Sequence, residues 1–392
     1  MSELLALEEA QQKLLALAPQ LPVETLPIEQ VVGRYLSSDL IARRTQPPAD
    51  LSAMDGYAIA GEGPWQRVGE SRAGASFEGT LEPGQCTRIS TGAHMPSGAD
   101  RVLIQENAEV DGDCITATEP AVSGKHVRKL GFDFAEGDLI LSTGTRIGAA
   151  QLALAISAGH GSVDTIRPPK VAILDSGDEL VRDPALCGPD QIPASNAAMI
   201  AVMLRQQGCE TIRLGPVPDD HDALAGALAE AESADLLVTS GGASVGDHDL
   251  IQEALRRWGA DLAFWKVAIK PGKPLMVATR GSQVIVGLPG NPVSSFVTCF
   301  LFVLPLVRAA MGAREALPAT TRIASAEALP AVGKRREFLR GVSDGDSVRL
   351  AASQDSSALL ALASANCLID RLPHAEPVRA GDPVRVFTIQ NG

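Results

Sequence analysis

The sequence is poor in aromatic residues and in positive charge, and it has no paired cysteine motif. Only 4% of its 392 residues are Phe, Trp or Tyr, and 34 Lys and Arg face 47 Asp and Glu, so that the net charge is -13. A chain this acidic lacks the basic surface that nucleic-acid binding requires. None of its six cysteines forms a CxxC pair, which argues against zinc ribbons and thioredoxin-type sites and predicts reduced, mostly buried thiols.

The start of the chain has no basic segment followed by an apolar core, so the sequence predicts no signal peptide and a cytoplasmic protein. One long run, residues 284–307, carries no charge, but Gly and Pro in residues 287–292 divide it. Its helical remainder, residues 293–307, would extend only about 22 Å at 1.5 Å per residue. A membrane span needs about 20 apolar residues. We therefore expect a buried core helix and no membrane partner.

The composition is that of a folded protein with several domains, since 45% of the residues are hydrophobic. Leucines at helical spacing predict a helix over residues 3–18, whose apolar stripe must be covered by the chain itself or by a second subunit. Residues 45–134 are rich in Gly, Pro and short strands, which indicates a small β domain. Residues 135–166 turn helical again. The sequence thus predicts a helical region, residues 1–44 and 135–166, that an inserted β domain interrupts.

A different pattern begins at residue 167, where short apolar strands alternate with helices as far as residue 316. Alternation of this kind predicts a parallel sheet with helices on its faces. From residue 317 to residue 392 the helices stop, and short strands with turns predict a β-barrel or sandwich. The fold class is therefore α/β multidomain, with a helical region, an inserted β domain, a central parallel α/β domain and a C-terminal β-barrel.

Three loops follow predicted strands of the α/β domain, at residues 175–179, 239–246 and 287–292. In open α/β sheets ligands bind beyond the carboxyl ends of the strands. A Gly/Ser loop that leads into a helix presents backbone N–H groups to phosphate. The loop at 239–246 is not a Walker A motif, because no Gly-Lys-Ser/Thr follows it, and each loop alone could be an ordinary turn. Three such loops together predict an anion site.

Charged residues gather in the same part of the chain. Acidic residues at strand ends and helix starts either cap helices or hold Mg²⁺, which uses a few carboxylates together with substrate phosphate. Three lysines within eight residues, stiffened by two prolines and a glycine, form either a solvated basic turn or an oxyanion site. The acidic residues are Asp178, Glu179, Asp219, Asp220, Asp247 and Asp249, and the lysines are Lys266, Lys270 and Lys273.

Seven ordered segments resemble the MoeA family, which also contains the gephyrin E domain. They are Ser52-Ala-Met-Asp-Gly-Tyr-Ala58, Arg88-Ile-Ser-Thr-Gly-Ala93, Gly131-Phe-Asp133, Ser176-Gly-Asp-Glu-Leu180, Thr239 to Gly246, Ile269-Lys-Pro-Gly-Lys-Pro274 and Gly287 to Ser294. The resemblance implies a molybdopterin molybdenumtransferase with four domains, working as a homodimer with the active site between its subunits.

The resemblance also implies site residues. One subunit would supply Asp55, Thr91 and Asp133 to catalysis. The other would supply the catalytic residues Glu179, Asp219 or Asp220, Asp249, Lys266 and Lys270. Substrate would be bound by Ser240, Gly241, Gly242, Ser244, Gly246, Lys273, Pro289, Asn291 and Pro292. Molybdate would be held by Lys270 and Lys273 together with Arg340 and Ser356 of the barrel. Glu179 and Asp249 would bind Mg²⁺, the expected cofactor.

The implied reaction takes adenylated molybdopterin and molybdate and yields molybdenum cofactor and AMP. Molybdopterin adenylyltransferase and the recipient molybdoenzymes are further candidate partners. Three departures from the family pattern stand out: Ser176 replaces Thr, Ala194 replaces an aspartate, and a negative Asp355 precedes Ser356. Two other functions fit parts of the sequence. They are a gephyrin-type scaffold, for which the chain lacks a long disordered linker, and a Mg²⁺-dependent nucleotide hydrolase, which would not need Asp55 and Thr91.

Overall fold

The computed structural model describes residues 4–241 and 250–389. The chain begins with helix α1 (Leu7–Leu15), followed by strands β1 (Val23–Pro27) and β2 (Leu40–Ile41). The predicted first helix is present but shorter at both ends. Its buried face, which includes Leu7 and Leu14, packs on a long apolar helix of the same chain. The Gln11 side chain donates to the Leu301 carbonyl at 2.8 Å. The leucine stripe is thus covered within the chain and needs no second subunit.

The middle of the chain forms a curled sheet. Its segments are β3 (Leu51–Ser52), β4 (Gly56–Ile59), β5 (Trp65–Ser71), β6 (Gln85–Ile89), β7 (Arg101–Ile104), β8 (Ala108–Asp111), β9 (Cys114–Ala117) and β10 (Val127–Arg128). Six of them lie in the order β7-β4-β6-β5-β9-β8 around a small core that includes Tyr57 and Trp65. The predicted β structure of this region is confirmed.

The chain then returns to its N-terminal region through β11 (Leu139–Leu141), α2 (Ala149–Ser157) and β12 (Ser162–Ile166). Strand β12 pairs antiparallel with β1, and β11 pairs with β2. The two stretches of sequence on either side of the middle sheet are therefore joined by backbone hydrogen bonds.

The central region is a sheet with helices on both faces. Its strands are β13 (Lys170–Ser176), β14 (Leu180–Val181), β15 (Ile192–Pro193), β16 (Glu210–Val217), β17 (Leu236–Ser240), β18 (Asp261–Lys266), β19 (Ile269–Lys270), β20 (Pro274–Arg280) and β21 (Gln283–Leu288). The helices are α3 (Asn196–Arg205), α4 (His221–Glu230), α5 (Leu250–Arg257), α6 (Pro292–Thr298) and α7 (Leu304–Ala310).

The central sheet has the order β16-β13-β17-β21-β20-β18 and is mixed. Strands β16, β13, β17 and β21 are parallel, as predicted, whereas β20 and β18 run antiparallel. The expectation of a wholly parallel sheet was wrong at this edge. A two-residue turn joins Arg280 to Gln283, and a connection that short permits only an antiparallel hairpin.

Helices α6 and α7, joined by a π-helical turn (Cys299–Val303), form one helix, Pro292–Ala310. This helix of 19 residues has a mean hydropathy of 1.9 and is long and apolar enough to cross a membrane. However, 89% of its apolar stretch is buried inside the protein. The predicted buried core helix is confirmed, although it is longer than the 293–307 stretch. We call it the core helix.

The C-terminal region is a closed five-stranded barrel, made of β22 (Thr321–Ser325), β23 (Arg336–Ser343), β24 (Ser347–Leu350), β25 (Cys367–Arg371) and β26 (Pro383–Thr388). Closure follows because β23 pairs with both β24 and β25. Strand β19 of the central region also pairs with β23. The expectation that helices stop after residue 317 was wrong, since a short helix, α8 (Leu359–Ser364), buries Ala361 and Leu362 against the core.

Candidate functional site

A cavity of about 760 Å³ lies beyond the carboxyl ends of β13, β17 and β21. Among the predicted site residues, Glu179, Ser240, Gly241, Asn291 and Pro292 line this main cavity. They come from all three strand-end loops, as expected from the position of the loops in an open α/β sheet. The N-termini of α3 and of the core helix also open on the main cavity, and helix N-termini favour bound anions.

The loop after β13 depends on Gly177. Its φ is +149°, and a Cβ there would lie 2.5 Å from a carboxylate oxygen of Glu179. The Gly177 N–H donates to the Val217 carbonyl at 3.1 Å, which fixes the turn against β16. Only glycine therefore lets the chain turn sharply enough to place Glu179 in the cavity wall.

A hydrogen-bond network forms the floor of the main cavity. The Asn196 side chain donates to the Ser240 hydroxyl at 2.8 Å and to the Gly290 carbonyl at 2.7 Å. The Asp175 carboxylate accepts from the Ala197 N–H at 3.0 Å. These contacts join the ends of β13, β17 and β21 to the first turn of α3.

Sequence reasoning did not assign Asp175 or Asn196 to the site, although both line the cavity. Asp175 is 2% exposed, and its Oδ1 has no hydrogen-bond partner within the described chain. Burial raises the pKa of this carboxyl, and the contact with the Ala197 N–H lowers it only in part. The signal was present in the sequence, because Asp175 directly follows an apolar strand and Asn196 begins a predicted helix.

The acidic residues divide into two roles. Asp220 caps α4, where its carboxylate accepts from the N–H groups of Asp222 and Ala223 at 3.0 and 2.9 Å. Asp219 instead lies near Asp178 and Glu179. Burial, followed by the negative charges of those two residues, raises the pKa of Asp219. Of the two alternatives left open by the sequence, Asp219 is the carboxylate free of a capping role.

The described residues contain no group of three or more His, Cys, Asp or Glu side chains that could hold a metal. Mg²⁺ nevertheless needs only one or two carboxylates when substrate phosphates complete its shell. Glu179 lines the cavity, and Asp219 lies near the negative charges of Asp178 and Glu179, which raise the pKa of Asp219 after burial. This arrangement fits a cation shared with a phosphate and does not fit a cage built of protein alone.

The lysine loop, residues 266–273, lies between the N-terminus and the barrel. The Leu5 N–H donates to the Lys266 carbonyl at 2.9 Å, and the Ala268 N–H donates to the Leu5 carbonyl at 2.8 Å. On the other side the Arg336 N–H donates to the Ala268 carbonyl at 2.8 Å. Lys270 pairs with Glu337 at 3.0 Å. The backbone of the loop is thus fixed from both sides.

The loop also approaches the core helix closely. Gly272 has a φ of +103°, and a Cβ there would lie 2.5 Å from the Thr298 side chain. The Val267 N–H donates to the Lys273 carbonyl at 2.9 Å and closes the loop. None of its three lysines lines the main cavity.

Arg340 lies on β23 and is 2% exposed. Its Nη2 donates to the carbonyls of Ser353 and Asp355 at 3.3 and 3.1 Å, and its Nε has no partner within the described chain. Burial lowers the pKa of Arg340, while the negative charge of Asp355 opposes that effect. The guanidinium is thus a buried cation that forms no ion pair with the described residues.

The unexpected Asp355 offsets part of the charge of Arg340 from nearby, but its carboxylate forms no ion pair with the guanidinium. Its carboxylate accepts from the hydroxyl and N–H of Ser357 at 2.6 and 2.8 Å. The carbonyl of Ser356 accepts from the Val293 N–H at 3.1 Å, which joins this turn to the core helix next to the cavity. Ser357, which the sequence did not single out, lines the cavity.

The remaining predicted residues lie elsewhere. Asp55 accepts from the N–H and hydroxyl of Thr91 at 2.6 and 3.0 Å, contacts that lower the pKa of Asp55. Asp133 is exposed, and its N–H donates to the Gln46 carbonyl. The main cavity of the same chain is lined by neither Asp55, Thr91 nor Asp133, and Pro289 does not line it either. The predicted residues Gly242, Ser244, Gly246 and Asp249 lie outside the described residues.

Three family profiles match the chain in order. The MoeA N-terminal region (domain I and II) matches residues 5–159, a probable molybdopterin binding domain matches residues 172–309, and the MoeA C-terminal region (domain IV) matches residues 322–389. Together they span nearly the whole sequence.

Similar proteins agree with these profiles. The chain is 35% identical to the molybdopterin molybdenumtransferase of Haemophilus influenzae, with 98% of each chain covered. It is 35% identical to that of Nostoc, with 86% of this chain and 82% of the relative covered. The crystal structure of a molybdopterin biosynthesis moeA protein from Pyrococcus horikoshii superposes with a TM-score of 0.85 at 25% identity, covering 99% of this chain and all of the other.

Proposed function

The chain belongs to the MoeA family of molybdopterin molybdenumtransferases and is a transferase, and from this premise we propose the reaction that it catalyses. It takes adenylated molybdopterin and molybdate, inserts molybdenum into the molybdopterin and releases AMP. This would be the last step in making the molybdenum cofactor. The bond between the molybdopterin phosphate and AMP breaks as water adds to it, so that each phosphate keeps an oxygen. Molybdenum loses one oxo ligand as it bonds to the two sulfur atoms of molybdopterin, and that oxygen leaves as water with the two thiol protons.

The unpaired cation at Arg340 is the observation that carries this proposal. A buried guanidinium without a counter-ion is costly unless an anion neutralises it. Its planar donors suit a tetrahedral oxyanion, which they grip by charge-assisted hydrogen bonds. The 353–357 turn links Arg340 to the wall of the main cavity. An oxyanion at Arg340 would therefore lie next to a substrate in that cavity.

The cavity residues suit the phosphate end of the organic substrate. The Ser240 hydroxyl lines the cavity, where it accepts from Asn196 and hydrogen-bonds the Asp175 carboxylate, so a phosphate oxygen there would compete with Asp175 for its proton. The converging N-termini of α3 and the core helix add positive potential. Apolar side chains such as Leu180, Ile192 and Leu359 provide a wall for a planar ring. Holding both anions side by side accounts for much of the expected rate.

We also propose that Mg²⁺ assists the reaction. Glu179, together with Asp219, would hold the ion against the substrate phosphates, and Asp249 remains the second ligand that the resemblance implies. The ion would neutralise charge on the phosphate oxygens as the bond to AMP breaks. The chain's own contribution is to keep Glu179 in the cavity wall through the turn at Gly177.

A homodimer in the cytoplasm is part of the proposal. Asp55 and Thr91 are hydrogen-bonded to each other in the middle sheet region but do not line the cavity of their own chain. A second subunit would bring its own pair to that cavity. Molybdopterin adenylyltransferase and recipient molybdoenzymes are the proposed partners upstream and downstream.

The direct test is incubation of the full chain with adenylated molybdopterin, molybdate and Mg²⁺, following AMP by chromatography and cofactor by its transfer to an apo-molybdoenzyme. We expect AMP release that depends on molybdate and on Mg²⁺, with one cofactor formed per AMP. AMP release without cofactor formation, even at saturating molybdate, would support a nucleotide hydrolase instead and would contradict the proposal.

A further inference from the structure

A second cavity, of about 510 Å³, begins one turn further along the core helix, at Phe296, and shares no lining residue with the main cavity. We call it the interdomain cleft. Tyr35 and Arg146 of the N-terminal region, Phe300 and Arg308 of the core helix, and Thr388 of the last barrel strand line it. Its volume is within the range of small-molecule sites, about 300–1,000 Å³.

Two arginines, Arg308 and Arg146, line this cleft, and neither forms an ion pair with the described residues. Arg308 is half-buried, and its Nε donates to the Gln207 side chain at 3.1 Å, while its Nη1 reaches the Ala316 carbonyl at 3.4 Å. Over residues 4–241 and 250–389, no carboxylate oxygen lies within 4.0 Å of Arg308 or of Arg146. Glu315 also lines the cleft, but it too is beyond that distance.

The two arginines place positive charge on the same cleft. Burial lowers the pKa of Arg308, the nearby Tyr35 raises it, and the positive charge of Arg146 lowers it by a smaller amount. Guanidinium groups stay charged at any pH the protein meets. Like charges that are held together in a partly buried place are stabilised by a bound anion, which removes the repulsion and supplies hydrogen-bond acceptors.

The rest of the cleft wall is apolar. Phe296, Phe300 and Leu304 of the core helix line it beside Met203 of α3. At its rim Leu317 is 47% exposed. A ligand that used only the arginines would leave this wall in contact with water, whereas a ligand with an apolar body would cover it.

We propose that the interdomain cleft binds a small organic anion, with a phosphate or carboxylate group between Arg308 and Arg146 and an aromatic or aliphatic body against Phe300 and Leu304. The Tyr35 hydroxyl would donate to the same anionic group. Because the lining comes from three regions of the chain, a bound ligand would hold those regions together.

The test uses the full chain and four probes: phenyl phosphate, benzoate, inorganic phosphate and benzyl alcohol. Binding is measured by saturation-transfer NMR and by titration calorimetry. We expect phenyl phosphate or benzoate to bind the wild type more tightly than inorganic phosphate or benzyl alcohol, and the tighter of the two identifies the anionic group. Equal binding of inorganic phosphate and phenyl phosphate, or no binding of any probe at millimolar concentration, overturns the proposal.

Variants locate the site. Arg308→Gln should weaken binding of the preferred probe roughly ten- to a hundredfold, because a charge-assisted hydrogen bond is lost. Arg308→Lys should keep part of the affinity, since it retains the charge but not the planar fork of the guanidinium. This variant replaces Arg308→Gln in the test if the Gln variant folds poorly. Arg128→Gln, at an exposed arginine of the middle sheet, is the control and should bind like the wild type. Unchanged binding by both Arg308 variants overturns the assignment.

AMP release separates this inference from the proposed function. The cleft and the main cavity have no lining residue in common, so Arg308→Gln should retain AMP release. Loss of probe binding with AMP release intact supports a separate anion site. Loss of AMP release in parallel with probe binding, at an unchanged melting temperature, would make the cleft part of the reaction site and would contradict the inference.

Discussion

Two buried charged residues, Asp175 and Arg340, give the sharpest predictions about the chemistry of the main cavity. Asp175 and Arg340 are both 2% exposed, both lie at or beside the main cavity, and each has an atom without a hydrogen-bond partner in the described chain. Folded proteins rarely leave buried polar atoms unpaired unless the atoms have another use. Each of the two therefore gives a sharp prediction.

Asp175→Asn should change how stability depends on pH. The folded-state pKa of Asp175 is raised, so its contribution is full below the ordinary value of 3.8 and is lost as pH rises through the folded value. Asn does not titrate and keeps an acceptor for the Ala197 N–H. The free energy of unfolding of the variant should therefore increase, relative to wild type, from pH 4 towards pH 8. Each unit of pKa elevation corresponds to about 1.4 kcal/mol.

Urea unfolding at a series of pH values measures this difference. Asp39→Asn provides a control of opposite sign, because hydrogen bonds from Thr143 lower the pKa of Asp39 and its stabilisation is lost as pH falls. A difference between wild type and Asp175→Asn that does not vary with pH would show that the buried carboxyl stays in one protonation state.

Arg340→Ala should raise the molybdate concentration for half-maximal cofactor formation roughly ten- to a hundredfold, since charged hydrogen bonds contribute about 1.5–3 kcal/mol. Binding of adenylated molybdopterin should change much less. Arg340→Lys should rescue only part of the loss. Arg371→Ala is the matched control, because Arg371 is also buried in the barrel and also donates to backbone carbonyls.

If Arg340→Ala instead weakened binding of the organic substrate and left the molybdate dependence unchanged, the assignment would be wrong. The barrel would then serve adenylated molybdopterin, and the oxyanion site would have to lie on the lysine loop.

Residue roles could be predicted where a strand end or a family motif marked them, as for Glu179 and Ser240. The role of a residue could not be predicted where it depends on contacts that form only in the folded chain. Asp219 and Asp220 are adjacent and identical in type, and only the backbone shows that Asp220 caps α4. The Asn196 side chain bonds to Ser240 and Gly290, which lie 44 and 94 residues further along the sequence. No local pattern contains that information.

At the scale of elements, the N-terminal segment is a support for the lysine loop. Leu5 exchanges two backbone hydrogen bonds with residues 266–268, and Glu8 of α1 forms an ion pair with Arg336, which lies on the other side of the loop. Helix α1 is itself anchored on the core helix. The loop therefore takes its position partly from the start of the chain.

Removal of residues 1–6 should therefore raise the molybdate concentration for half-maximal activity by roughly fivefold or more, because two backbone hydrogen bonds, each of about 0.5–1.5 kcal/mol, are lost. Removal of residues 1–3 alone leaves Leu5 in place and should have little effect. Cofactor formation over a molybdate series measures both. Equal behaviour of the two truncations would mean that the barrel strand alone fixes the loop.

Most elements of the central region could be predicted because apolar strands and helices alternate there. The direction of β20 could also have been predicted, since only Gly281 and Ser282 separate it from β21 and leave no room for a crossover. Helix α8 was missed because six residues are too few for a helical repeat of apolar residues to be recognised in the sequence.

At the scale of the whole molecule, a shared active site makes a distinctive prediction. Glu179→Gln and Asp55→Ala should each abolish activity as homodimers, because every site contains the altered residue. Coexpressed with different tags, they should form mixed dimers with one intact site. Random assortment makes half of the dimers mixed, so the total should recover to about a quarter of wild type.

The control for that experiment pairs Glu179→Gln with Arg340→Ala. Both residues are assigned to the same side of the site, so every site of the mixed dimer keeps one defect. At a molybdate concentration far below the half-maximal value of Arg340→Ala, no recovery is expected above the activity of Arg340→Ala alone. Recovery in the control, or a fully active monomer by light scattering, would contradict a site shared in this way.

The pairing of β1 with β12 has a consequence for synthesis on the ribosome. Thr25 and Asp164 touch across 139 residues of sequence, and nearly all of the middle sheet lies between them. The first strand to leave the ribosome must therefore wait, unpaired, while the middle sheet is made and folds. Closing so long a loop is entropically cheaper once the intervening residues are compact. Folding of the inserted sheet would thus shorten the loop that has to close before the two halves of the N-terminal region can pair.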